Sequence, residues 1–139
     1  MSTIKNIDGP KDFIFRVLSG VAIGIVAGLV PNAILGEIFK YLIQYQPIFK
    51  TLLGVVQAIQ FTVPALIGAL IAMKFNLTPL AIAVVASASY VGSGAAQFKN
   101  GVWIVAGIGD LINTMITAAI AVLFILLIEE RVGSMALII

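Results

Sequence analysis

From Thr51 to Met73 the chain carries no charged side chain, and the same holds from Phe75 to Phe98 and, apart from Asp110, from Trp103 to Ile128. A helix that crosses a bilayer needs about 20 consecutive apolar residues, so each of these stretches is long enough to span. Apolar residues make up 61% of the chain and charged ones 10%. An ordinary globular chain has about 45–50% and about 25%, so this one cannot cover a water-facing surface. A soluble enzyme is thereby excluded. The fold class expected is all-α: a polytopic transmembrane helical domain of about four spans plus one interfacial amphipathic helix.

Ahead of the three long stretches, Val17 to Val30 is uncharged and holds Gly20, Gly24 and Gly28, a spacing that lets another helix backbone approach closely in lipid. A signal peptide is the competing reading of this run. The early acids Asp8 and Asp12, and the lack of a small-residue cleavage site before a soluble domain, argue against it. Residues 1–16 form a polar amino-terminal tail with a Gly9-Pro10 turn signal, and 17–139 form one transmembrane domain. With Phe13 to Phe15 included, the first span runs over about 13–30. Pro31 and Asn32 are expected to end it, because proline disfavours helical geometry in the residue before it.

After that break, Ile34, Leu35, Ile38, Phe39 and Leu42 recur at helical spacing with Glu37, Lys40 and Gln44 set apart from them. The pattern predicts an amphipathic helix near 32–46 lying along the membrane surface, with Tyr41 and Tyr45 at headgroup level. The remaining helices are placed at about 51–73, 77–97 and 103–128. No β-structure is expected, because an open sheet edge is unsatisfied in lipid. Lys5, Lys11, Arg16, Lys74 and Arg131 fall on the amino-terminal side against Lys40, Lys50 and Lys99 on the other, which favours an amino terminus inside. The apolar tail Val132 to Ile139 follows a charged stop. It reads either as a short segment on the membrane or as the start of a further element of a longer permease-like chain.

The chain has no Cys and no His, which removes disulfides, thiolate nucleophiles and the commonest acid/base catalyst and metal ligand. What remains is amides, hydroxyls and a few carboxylates, an inventory suited to binding a polar solute rather than breaking bonds. No catalytic residue, cofactor or metal is expected. A net charge of +2 without a basic cluster gives no case for nucleic acid.

A polar residue in lipid must find a partner, so polar residues that share a helical face are the candidate site. Gln57, Gln60 and Pro64 share one face, where Pro64 supplies no N–H to the Gln60 carbonyl. Tyr90, Ser93, Gly94 and Gln97 share a second, in a stretch where Gly92 and Gly94 permit unwinding. Asp110, Asn113, Thr114 and Thr117 share a third. Asp110 is either a buried charge on a pathway or, if the helix starts at Leu111, its N-cap. Gln57, Gln60, Ser93, Gln97, Asp110 and Asn113 are the expected substrate-binding residues, converging on one polar region. The alternative disperses them as separate hydrogen bonds between helices, each worth about 0.6 kcal/mol.

The order of segments resembles the bacterial membrane proteins related to subunit IIC of the sugar phosphotransferase system, including a toxin-regulator-like group. The resemblance rests on the Gly-rich first helix running into Pro31-Asn32-Ala33-Ile34-Leu35-Gly36-Glu37, then on Gln57 to Gly68, Ser89 to Gly94 and Gly107 to Asn113. It implies the amino-terminal part of a sugar permease-like domain in the bacterial cytoplasmic membrane, as a homodimer or packed on further helices of the same native chain. In that system the phosphoryl group travels on His or Cys of other subunits, so this chain would be the membrane component. Three hypotheses compete. The first is a transporter domain for a small polar solute such as a sugar. The second is a membrane scaffold or sensor without transport. The third is a small four-helix exporter, for which the first span lacks the expected acid.

Overall fold

The structure, a computed structural model, describes residues 7–132. Helices α1 (Gly9–Leu42), α2 (Ile48–Gln60), α3 (Val63–Lys74) and α4 (Pro79–Gly92) are followed by strands β1 (Ala96–Lys99) and β2 (Val102–Val105) and helix α5 (Leu111–Val132). The architecture is all-α and membrane-like, with one small hairpin. Two helices, α1 and α5, are long and apolar enough to cross a membrane, and α2 with α3 makes a third candidate bent by 41° at its break. The fourth expected span is shorter, since the 14 residues of α4 rise only about 21 Å.

The first span does not end at Pro31. Helix α1 runs unbroken through it for 34 residues, about 51 Å. The expected separate amphipathic helix near 32–46 is therefore the carboxy-terminal part of α1, and the helix begins at Gly9, inside the polar stretch. Pro31 deprives one carbonyl of its donor, a loss the packing outweighs. Gly20, Gly24, Gly28, Asn32 and Gly36 are all buried at four-residue spacing, on both sides of the proline. The Asn32 side-chain amide also donates to the Gly28 carbonyl at 2.6 Å.

The glycines of α1 lie against α3, as their spacing predicts. A Cβ on Gly20 would sit 2.6 Å from the Ile71 Cα, on Gly24 2.7 Å from Ile67 Cγ1 and on Gly28 2.7 Å from Val63 Cγ2. The pairing is antiparallel, so the start of α1 meets the end of α3. There the Arg16 guanidinium closes that near end of the bundle. It pairs with Asp12 at 3.1 Å, donates to the Lys74 carbonyl at 3.1 Å and lies 5.6 Å above the Phe75 ring. Lys74 and Arg16 therefore share one side, as the charge count assumed.

The span expected at 51–73 is broken. Pro64 lacks the N–H that would bond the Gln60 carbonyl, and the chain tightens: Phe61 and Thr62 donate to the carbonyls three residues back, and the Thr62 hydroxyl donates to the Ile59 carbonyl at 2.7 Å. Helix α4 starts behind the Thr78 N-cap, whose hydroxyl accepts from the Ala81 N–H. It stops at Gly92 rather than near 97, where Gly94 turns left-handed at φ +84°.

The hairpin overturns two expectations, the absence of β-structure and a helix beginning at 103. Asn100 and Gly101, at φ +52° and +79°, form the left-handed pair that a two-residue turn needs. The β-branched and aromatic residues Phe98, Val102, Trp103, Ile104 and Val105 suit the strands beside it. The edge argument forbids an open sheet only inside hydrocarbon.

The core lies among α1, α3, α4 and α5, with Val63, Ile67, Ile71, Phe75, Val85, Val122 and Leu126 fully buried. Outside it, most of the large side chains of α1, α2 and α5 are exposed, including Ile34, Ile38, Val55, Ile116 and Phe124. That distribution is expected of faces that meet lipid or other helices rather than water.

Candidate functional site

Two polar regions lie at the far end of the bundle, away from Arg16. The first is a cleft between α1 and α2 of about 230 Å³, lined by Asn32, Gly36, Glu37, Lys40, Gln57 and Gln60 among others. Its walls are loosely joined. A Cβ on Gly36 would meet only the Leu53 side chain, at 3.8 Å, where the α1–α3 glycines leave no room at all. Glu37 and Lys40 pair on its rim at 3.1 Å. Neither the Gln57 nor the Gln60 amide is hydrogen-bonded to a described residue; Gln57 is exposed and Gln60 half-buried.

The second region is the turn that joins α4 to the hairpin and the hairpin to α5. Ser93 is buried, and its hydroxyl donates to the Tyr90 carbonyl at 2.7 Å while accepting from the Ala95 N–H at 3.1 Å. The Gln97 amide donates to the Gly94 carbonyl at 3.2 Å. Asp110 is the N-cap of α5: its Oδ1 accepts from Ile112 N at 2.8 Å and Asn113 N at 3.0 Å. Of the two readings the sequence left open, the cap is the one found. Its own N–H donates to the Ser93 carbonyl at 2.8 Å, and Gly109, at φ +82°, packs on the Ser93 side chain with no space for a Cβ.

Ser93 and Asp110 are thus brought into direct contact, with Gln97 nearby in sequence and structure. Gln97 does not share the helical face of Tyr90 and Ser93, because it belongs to β1. Asn113 is exposed on the first turn of α5, and its side-chain amide has no partner among the described residues. Thr114 is buried and its hydroxyl returns to the Asp110 carbonyl at 2.8 Å. Thr117 faces Gly92, whose missing Cβ makes room for it.

The two regions share no lining residue, so Gln57 and Gln60 stand apart from Ser93, Gln97, Asp110 and Asn113, and only the α2–α3 end of the cleft comes level with the turn. Gly68 of α3 receives the Ser89 side chain of α4. These helices are antiparallel, so one turn farther from Arg16 Pro64 comes level with Ser93. Gln60 ends α2 one turn before Pro64, which places the α2–α3 break and the Ser93–Asp110 turn at the same height in the bundle.

The buried hydroxyls and Asn32 satisfy themselves within their own helices: Ser89 on Val85, Asn32 on Gly28 and Thr114 on Asp110. The helices are joined by the apolar core, by close contacts at glycines and, at the near end, by Arg16, and the Gln57, Gln60 and Asn113 amides bond no other described residue. A larger cleft at the near end, about 420 Å³, is lined by Ile7, Pro10, Phe13, Leu123 and Leu126 among others, and offers a polar solute almost nothing.

The sequence reading missed Asn32, Glu37 and Lys40 as cleft residues. It had Asn32 as a helix breaker and the other two on a separate surface helix. The signal was present: extending the glycine stripe by fours reaches Asn32, Gly36 and Lys40 in turn.

No curated protein and no solved structure matches the chain. A family profile does match, described as "Phosphotransferase system, EIIC", over residues 15–139. A match across nearly the whole sequence, together with long apolar helices joined at polar breaks, establishes that the chain belongs to the EIIC family of the phosphotransferase system.

Proposed function

We propose that the chain is a permease domain that binds a small, neutral, polyhydroxylated solute such as a sugar at the far end of the bundle. The observation that carries this reading is the α1–α2 cleft, where unpaired glutamine amides line a gap together with Asn32 and the Glu37–Lys40 pair. An amide offers both donors and an acceptor, and so suits a hydroxyl that gives one hydrogen bond and takes others. Gln57 and Gln60 are the direct ligands in this reading, joined by Asn113 where the solute reaches beyond the cleft to α5. Ser93, Gln97 and Asp110 shape the turn beside Asn113. The domain works in the cytoplasmic membrane of a bacterium as a homo-oligomer or with further helices, its exposed apolar faces turned to lipid and to those neighbours.

The test is binding and uptake of radiolabelled mono- and disaccharides by the chain in proteoliposomes. Gln60→Ala and Asn113→Ala should weaken binding while the helical spectrum is retained. Unchanged binding in both would favour the scaffold or sensor, in which the membrane domain holds helices but carries no solute.

A further inference from the structure

The hairpin of β1 and β2 takes no part in the cleft, yet it exposes more aromatic surface than any neighbouring segment. Its register pairs Ala96 with Val105, Gln97 with Ile104, Phe98 with Trp103 and Lys99 with Val102. Residues directly opposed in an antiparallel ladder share a face. One face is therefore Ala96, Phe98, Trp103 and Val105, apolar throughout, with the two rings 5.4 Å apart. Phe98 is 60% and Trp103 63% exposed. The opposite face mixes the Gln97 amide and the Lys99 ammonium with the exposed Val102 and Ile104 side chains.

Below the strands the Ala106 N–H donates to the Ala95 carbonyl at 2.7 Å. Alternation along the ladder then makes Phe98 and Trp103 a non-hydrogen-bonded pair, so their N–H and C=O groups point to the outer edges. No further strand pairs with either edge among the described residues.

These features make opposite demands on the surroundings. The ring face favours hydrocarbon, whereas the open edges cannot enter it without losing their hydrogen bonds to water. Only the headgroup layer meets both, and tryptophan is enriched there for the same reason. Lys99, on the opposite face, adds complementarity to lipid phosphate. The length of α5 agrees. The hairpin rises from the Ser93–Asp110 turn, where α5 begins, and the apolar span Leu111–Glu129 is 19 residues long. At 1.5 Å per residue that is about 28 Å, one hydrocarbon thickness.

We propose that residues 96–105 form an interfacial anchor, lying in the headgroup layer with the Phe98–Trp103 face toward the acyl chains and Lys99 on lipid phosphate. Through Ser93 and Asp110 the anchor sets the height of α4 and α5 in the bilayer. The idea is independent of any solute.

Trp103 is the chain's single tryptophan, so its fluorescence reports this place alone. The whole chain is reconstituted in phosphatidylcholine vesicles carrying bromine either high or low on the acyl chains. Quenching should be strongest with the shallow bromines and unaffected by the protein-to-lipid ratio. Strongest quenching by deep bromines would place the hairpin inside the bilayer, and weak quenching by all of them would place it in water. Either result overturns the proposal, as does emission that changes with protein density, the mark of a second copy on the strand edge. In vesicles with added phosphatidylglycerol, Lys99→Glu should shift the emission to the red and reduce shallow quenching. An unshifted spectrum would overturn the phosphate contact.

Discussion

The N–H of Asp110 donates to the carbonyl of Ser93 across 2.8 Å, so the residue that caps α5 also closes the base of the hairpin. Sequence spacing put Asp110 on a helical stripe with Asn113, Thr114 and Thr117. The structure gives it a different task, joining the end of α4 to the start of α5. Because both Oδ1 bonds need only an acceptor, Asp110→Asn should fold as the parent does. Asp110→Ala should lose about 0.5–2 kcal/mol, the usual loss for an N-cap. Thermal unfolding in detergent followed by circular dichroism reads the difference. If Asn preserved the melting temperature yet abolished uptake, the charge itself would matter and Asp110 would be more than a cap.

A second expectation concerns the α1–α3 seam. A Cβ on Gly24 would lie 2.7 Å from Ile67 Cγ1 and 3.0 Å from its Cα, so the backbone and not merely a side-chain tip stands in the way. Gly24→Ala should destabilise by about 1–3 kcal/mol, the usual effect of overpacking, and Gly24→Leu by more. Gly54 is the control, since nothing lies within 4 Å of its Cβ position. Gly54→Ala should be neutral or gain up to about 1 kcal/mol from helix propensity. The fraction surviving as a monodisperse peak after heating separates them. Equal survival of Gly24→Leu and parent would mean the seam does not form.

Arg16 offers a third. Its guanidinium joins Asp12, the last carbonyl of α3 and the Phe75 ring, and only about a fifth of its side chain is exposed (20%). Replacement by Met keeps much of the apolar stem and removes the donors. The loss should be about 1.5–3 kcal/mol, the range for hydrogen bonds to charged groups. Lys should restore only part of it, because an ammonium cannot present the planar fork. A Lys variant as stable as the parent would show that charge alone holds the near end.

The long uncharged stretches were readable because lipid imposes one demand on every residue in a span. Breaks were harder, since they depend on what a helix packs against. Pro31 and Pro64 look alike in sequence. Pro31 is carried through because Gly28, Asn32 and Gly36 keep one buried stripe in register across it, whereas α2 has only Val56 buried and leaves α3 at an angle. Asn100-Gly101 is a plain hairpin signal that goes unused when the rule against open edges is applied to the whole stretch, although that rule holds only inside hydrocarbon. Of the six residues expected in one polar region, Ser93 and Asp110 do meet. Missing were the cleft partners on α1, because a helix assumed to end at Pro31 could not face α2.

The last expectation separates a cleft from a wider site. Gln57 and Gln60 sit on α2 and line the cleft with Asn32 and Glu37, while Asn113 belongs to the first turn of α5, outside it. If the solute is held by the cleft alone, Gln57→Ala and Gln60→Ala weaken binding and Asn113→Ala does not. If it bridges the helices, all three lose affinity. Each lost hydrogen bond to a neutral group is worth about 0.5–1.5 kcal/mol, or about two- to twelvefold in dissociation constant. Ser93→Ala is the companion measurement. Its hydroxyl is already occupied at both ends by Tyr90 and Ala95, so its loss should lower the melting temperature without a direct change in solute contacts. Affinity falling as steeply for Ser93→Ala as for Gln60→Ala, in protein of unchanged melting temperature, would make the turn itself the binding surface.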